Sequence, residues 1–245
     1  MCARHIYANW FKKWKGVDRK IQFYNCVRST FVKDFELHIQ GLEALGPTSS
    51  YNLFATPVQH WSKAYFKSTS KCDVVDNNVT KAFNGWIVEA RTKPIISMLE
   101  QIRIMVMSWM AVKRNWAEKW RTNISLRTLE KLERNMTTST HCMLVCNGDG
   151  RFEVTHLDNQ HTADLKKLTC TCREWGISGI PYCHAIYVMF YDSKSPEDYV
   201  SEWYSKEKYM ASYKHVLQHV RGKKFWPKSS SSNLTTYSQG TTRKA

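Results

Sequence analysis

The segment CTCREWGISGIPYCHAI holds four soft metal donors: Cys170 and Cys172, one residue apart, then Cys183 and His184 after ten intervening residues. Thiolate sulfur and imidazole nitrogen suit zinc, and four such groups close a tetrahedral structural site with no position left for a catalytic water. Cys170, Cys172, Cys183 and His184 are therefore the expected ligands of one Zn2+ ion. Adjacent residues point in different directions, so Cys183 and His184 need a local twist of the backbone to share it. Three outcomes stay open on the residues alone: a rearranged site that includes Cys183, a weaker one of Cys170, Cys172 and His184 with water, or no ion at all.

The other cysteines and histidines read differently. Cys2 and His5 form a C-x-x-H pair with no further ligands beside it, which favours a structural role. Cys142 and Cys146, with His141 alongside, fall in an expected strand region and read as core. His156 and His161 lie around a polar turn and read as exposed. Trp175 is expected to pack over the ion, with Ile186, Val188 and Met189 covering it from the other side. Such burial keeps water from competing for the ligands. The sequence contains no phosphate-binding glycine loop and no nucleophile elbow.

These donors must be held by the elements around them. Before residue 140 the pattern is helical: VDRKIQFYNCVRS is one candidate, and TFVKDFELHIQGLEAL puts Phe31, Phe35, His38, Ile39 and Leu42 on one face. Thr30 is the expected cap of the second helix and Gly46 lies beyond its end. A helix is expected from Asp76-Asn77-Asn78 through VTKAFNGWIVEAR, with Asp76 capping it and Pro94 opening the next. There Ile95, Leu99, Ile102, Val106 and Trp109 form a seam that reads as buried against other helices, with Arg103, Lys113 and Arg114 nearer the outside. After TTSTH the pattern changes to short strands around the turn signal Asn147-Gly148-Asp149-Gly150, then DLKKLTCTC and a short helix CHAIYVMFY. A helical stretch from Pro196 and a serine- and threonine-rich, disordered tail complete the chain.

Bulk composition narrows the partners. With 36 Lys and Arg against 21 Asp and Glu, the net charge is +15, which favours a polyanion, most simply nucleic acid. No apolar h-region opens the sequence and no apolar run approaches the ~20 residues of a membrane span, so an intracellular chain with reduced thiols and no membrane partner is expected.

CTCREWGISGIPYCHA resembles the SWIM zinc finger of plant Mutator-like transposases. CARHIYANW is similar to a C-x-x-H segment of that family, CDVVDNNVTKAFNGWIVEARTKPIISMLE to its strand-to-helix block, and WYSKEKYMASYKHVLQHV to its post-finger helix, so the resemblance reaches Lys228. It implies zinc binding through the finger, a nuclear location, and DNA or a protein as partner. It also implies an RNase H-like core in which three carboxylates hold two divalent metals and cut DNA. Two departures matter. Lys81 stands where the third acid is expected, and an ammonium repels Mg2+ rather than ligating it. Tyr182 holds the family's cysteine position and Cys183 its spacer. The first two acids would lie upstream of the C-x-x-H segment.

The expectation is a mainly α chain, α+β overall, with a small zinc-supported β-β-α module. An incomplete RNase H-like remnant and helical insertion would occupy 1–68, a helical region 69–140, the finger 141–192, a helical segment 193–227 and the tail 228–245. The expected function is zinc binding in a transposase-derived protein without catalytic activity. The alternatives are a fragment of an active DNA-cutting transposase and a decayed gene product.

Overall fold

The computed structural model describes residues 2–76, 78–146 and 151–226. The turn Asn147-Gly148-Asp149-Gly150 and the tail from residue 227 lie outside them. Helices α1 (Ala3–Trp10), α2 (Val17–Arg28) and α3 (Val32–Ala44) lead into three short 3-10 turns. Then come α4 (Asn78–Trp86), α5 (Ile95–Glu118) and α6 (Leu126–Ser139). Strands β1 (Cys142–Cys146), β2 (Phe152–His156), β3 (Asn159–Asp164) and β4 (Thr169–Cys170) follow, and α7 (Glu174–Ser178), α8 (Cys183–Tyr191) and α9 (Lys206–Ser212) close the described chain. The fold is mainly helical with one antiparallel sheet in the order β1-β2-β3-β4, so the α+β class holds at that level. The expected two-strand module has four strands, because Asn159–Asp164 and Thr169–Cys170 extend the hairpin. Among the described residues no strand precedes β1, so nothing there corresponds to an RNase H-like sheet.

The apolar faces read from the sequence build the first core. Phe35, Ile39 and Leu42 of α3 are buried against Phe23, Cys26 and Val27 of α2, with Trp10 and Trp61 filling the space between. Phe23 stacks on Trp61 at 5.8 Å between ring centroids, a pair worth about 1 kcal/mol beyond its area. Trp10 donates its indole N–H to the Ser49 carbonyl at 2.7 Å, which satisfies that buried donor.

A second core lies between the sheet and α8. Helix α8 is apolar on nearly every side, buries six of its nine residues, and exposes Phe190 and Tyr191 at its C-terminal end. Ala185, Val188 and Met189 pack on Cys142, Val154, Ala163 and Leu165 of the sheet side, together with Trp175. Ile186 was expected over the metal ligands but faces the other way, into a third cluster with Ile124, Leu132 of α6 and Ile180.

Several local expectations are corrected. Thr30 does not cap α3; its hydroxyl donates to the Cys172 carbonyl at 2.5 Å, and Phe31 takes the capping position without a side-chain bond. Pro94 sits one residue before α5, not inside it. Helix α4 stops at Trp86, and residues 87–92 continue as turns. The stretch from Pro196 forms two 3-10 turns and the short α9, with no regular structure over 214–222.

The largest correction concerns α5. Its seam is not buried: Ile95, Leu99 and Trp109 are exposed, Ile102 and Val106 half-buried, and Ala117 is its one buried residue. Arg103, Lys113 and Arg114 are themselves half-buried rather than outside. This 24-residue helix carries an 18-residue window of mean hydropathy 1.4, none of it buried, so by length and composition it could cross a membrane. The sequence reading of no such run is revised to that extent.

Candidate metal centre

A tight turn presents the first two donors. The Arg173 N–H bonds the Cys170 carbonyl at 2.9 Å, and Arg173 takes a left-handed conformation at φ 63° that starts α7. The Arg173 guanidinium then reaches across to the N-terminal core and donates to the carbonyls of Thr30 (2.8 Å), Phe66 (2.7 Å) and Ala64. Helix α7 ends at Gly179, φ +73°, where a Cβ would lie 2.8 Å from Ser201 Cβ and 3.0 Å from Lys71 Cβ. Only glycine suits both that conformation and that space. The Asn135 amide bonds the Pro181 carbonyl at 2.8 Å and fixes the approach to α8, whose first turn carries Cys183 and His184.

The structure brings Cys170, Cys172 and His184 together, all buried, with their ligand atoms within 4.8 Å of one another. Cys170 Sγ is 3.9 Å from His184 Nδ1, near the edge of about 3.5 Å expected between sulfur and nitrogen on one tetrahedral zinc. Cys183 does not join this trio. Its thiol groups instead with His156 and His184, again within 4.8 Å, and it hydrogen-bonds the Cys142 thiol. These Cys/His groups can hold a metal ion. Nδ1 is the His184 nitrogen toward Cys170, while its Nε2 is buried and has no hydrogen-bond partner. A buried polar atom left unpaired is costly, and ligation or ordered water removes the cost.

Electrostatics pick out the same pair of thiols. The Cys172 S–H donates to Cys170, and this bond, assisted by His184, draws the Cys170 thiol down to about 5 despite its burial. The same bond, then burial, pushes the Cys172 thiol up. The two sulfurs thus share one proton, which an incoming ion must displace. Cys183 and Cys142 are both raised, chiefly by burial.

The neighbouring residues divide. Trp175 is buried in the same core cluster as Cys170 and Cys172, and its N–H bonds the Tyr199 carbonyl at 3.3 Å. Cys142 is core as expected, but Cys146 at the far end of β1 is exposed. Cys2 and His5 bond one another, Sγ to Nδ1 at 2.9 Å. His156 and His161 are half-buried rather than exposed, on the sheet face under α8, with ring centroids 6.0 and 4.6 Å from that of His184. Burial lowers both imidazoles. Sequence reasoning passed over these two because only the strand register carries them under His184.

The acids of the DNN segment are engaged elsewhere. Asp76 accepts the Asn78 N–H at 3.1 Å at the start of α4, as expected of a cap. Asp73 lies between Lys63 (3.1 Å) and Lys131 (3.0 Å). Lys81 is exposed on α4. No protein-family model, no curated protein and no solved structure matches this chain.

Proposed function

We propose that this chain is a basic, transposase-derived nuclear protein that binds one structural zinc ion through a SWIM-type finger and contacts DNA without cutting it. The observation that carries this reading is the buried trio Cys170, Cys172 and His184. Two thiols and an imidazole suit zinc, a fourth donor would close the tetrahedron of a structural site, and zinc bound there would tie the β4–α7 turn to the start of α8. Cys170 and Cys172 supply the anionic donors, His184 orients from the helix, and Trp175, Val188 and Met189 keep water out. The charge of +15 supports a polyanionic partner. Lys81, standing where the resemblance places a metal-binding glutamate, argues against phosphodiester cleavage.

Elemental analysis of the purified full chain tests the metal reading. One zinc per chain is expected, with loss of it in Cys170→Ser. Unchanged zinc in that variant removes the site. Magnesium-dependent nicking of a DNA duplex by the wild-type chain would overturn the non-cutting part.

A further inference from the structure

Three donors leave one position of a tetrahedron open, and the fourth donor suggested by spacing is turned away. Cys183 is fully buried and its thiol bonds Cys142. Building on the metal-binding reading above, we infer that His161 supplies the fourth donor, making a centre of Cys170, Cys172, His161 and His184. The sheet register places it. Ala163 of β3 pairs with Cys170 of β4, and His161 lies two residues before Ala163 on the same face, next to the cysteine turn. The Thr171 N–H continues that pairing to the Thr162 carbonyl at 3.0 Å. His156 is one strand further out, opposite Cys142 on β1, and so belongs with the Cys142–Cys183 side.

Space and orientation agree with this placement. Cys172, His184, His161 and His156 line one cleft of about 250 Å³, with Cys170 and Cys183 both behind its wall. An ion entering there meets the sulfur of Cys172 and the ring of His184 with imidazoles on the open side. Asp34 and Glu174 also line the cleft, but carboxylates suit harder cations than a thiolate pair selects. The His161 ring is the nearer of the two to His184, 4.6 against 6.0 Å between centroids. Its Nδ1 lies 3.3 Å from the Thr171 hydroxyl, a contact that leaves Nε2 to ligate. A partner on the second ring nitrogen is the usual support of a ligating histidine. His161 is in neither group of atoms within 4.8 Å, so closure includes a rotation of its half-buried ring.

Cobalt(II) titration of the reduced, metal-free full chain tests the assignment. Tetrahedral ligand-field bands are expected, with sulfur-to-cobalt charge transfer from two thiolates. His161→Ala should weaken binding about tenfold or more and lose the tetrahedral intensity. His161→Cys should restore it and add charge-transfer intensity, which keeps the test decisive if the alanine variant folds poorly. Cys183→Ser and His156→Ala should match wild type. Loss of the spectrum in either of those, with His161→Ala unaffected, overturns the assignment while leaving the metal site standing. A wild-type spectrum retained in Cys170→Ser removes the metal reading and the assignment together.

Discussion

Helices α8 and α5 make an instructive pair. Both are strongly apolar in sequence, and both were expected to be covered. Helix α8 lies between the sheet and α6, and six of its nine residues are buried. Helix α5 is more than twice as long and buries Ala117 alone. A periodic apolar pattern states what a helix is able to bury, but burial also requires a facing surface. The sheet and α6 provide two such surfaces for α8. For α5 the described residues supply smaller pieces: the turn at Ala90–Thr92, Trp86 of α4 and Tyr213 against Trp109, Tyr209 of α9 against Trp116, and the Gln218 carbonyl on Arg103.

This contrast sets the size of several effects, all measurable by chemical denaturation of the full chain. The largest is expected at Arg173, which joins the metal-site turn to the N-terminal core. Arg173→Ala strands three backbone carbonyls and should lower stability by about 3 kcal/mol. Met189→Ala, in the core under α8, should cost about 3 kcal/mol or slightly less, through lost packing and a cavity. A loss below about 1 kcal/mol there would mean the α8 core is loosely packed.

Asp73→Asn should cost about 2 kcal/mol at pH 7, because it leaves Lys63 and Lys131 without their shared partner. The two ammonium groups hold the Asp73 carboxyl below its ordinary value, against the opposing pull of burial. A depressed carboxyl stabilises above its unfolded value of about 3.9 and loses that contribution as pH falls through the folded value. The wild-type advantage should therefore be full at neutral pH and shrink in acid. An advantage that grows in acid would contradict the pairing. The smallest effect belongs to α5: Leu99→Ala should change stability by no more than about 0.5 kcal/mol. A loss like that of Met189→Ala would show that α5 has a cover after all.

Much of this was legible in the chain. Local periodicity located α2, α3 and α8, and the one-residue spacing of Cys170 and Cys172 marked a shared site. The backbone at Tyr182 and Cys183 decided what spacing could not, since entry into α8 turns Cys183 toward Cys142 and His184 toward Cys170. His156 and His161 were misread because a hydrophilic turn looks solvated locally, while strand pairing carries both side chains beneath a helix formed later in the chain. Thr30 was misread for a similar reason. A threonine before a helix is a good cap, but α3 begins one residue too late for Thr30, whose hydroxyl donates to a carbonyl 142 positions away.

That last bond bears on the order of assembly. Thr30 meets Cys172, and Arg173 meets carbonyls at 30, 64 and 66, so the loop with the two thiols is walled by residues made much earlier. Contacts so distant along the chain close late in folding, since the entropy of drawing the intervening polypeptide into a loop must first be met. The region 141–192 cut free as a peptide would lack those walls. Its Arg173 would face water, and its two thiols would lose the N-terminal residues packed beside their turn.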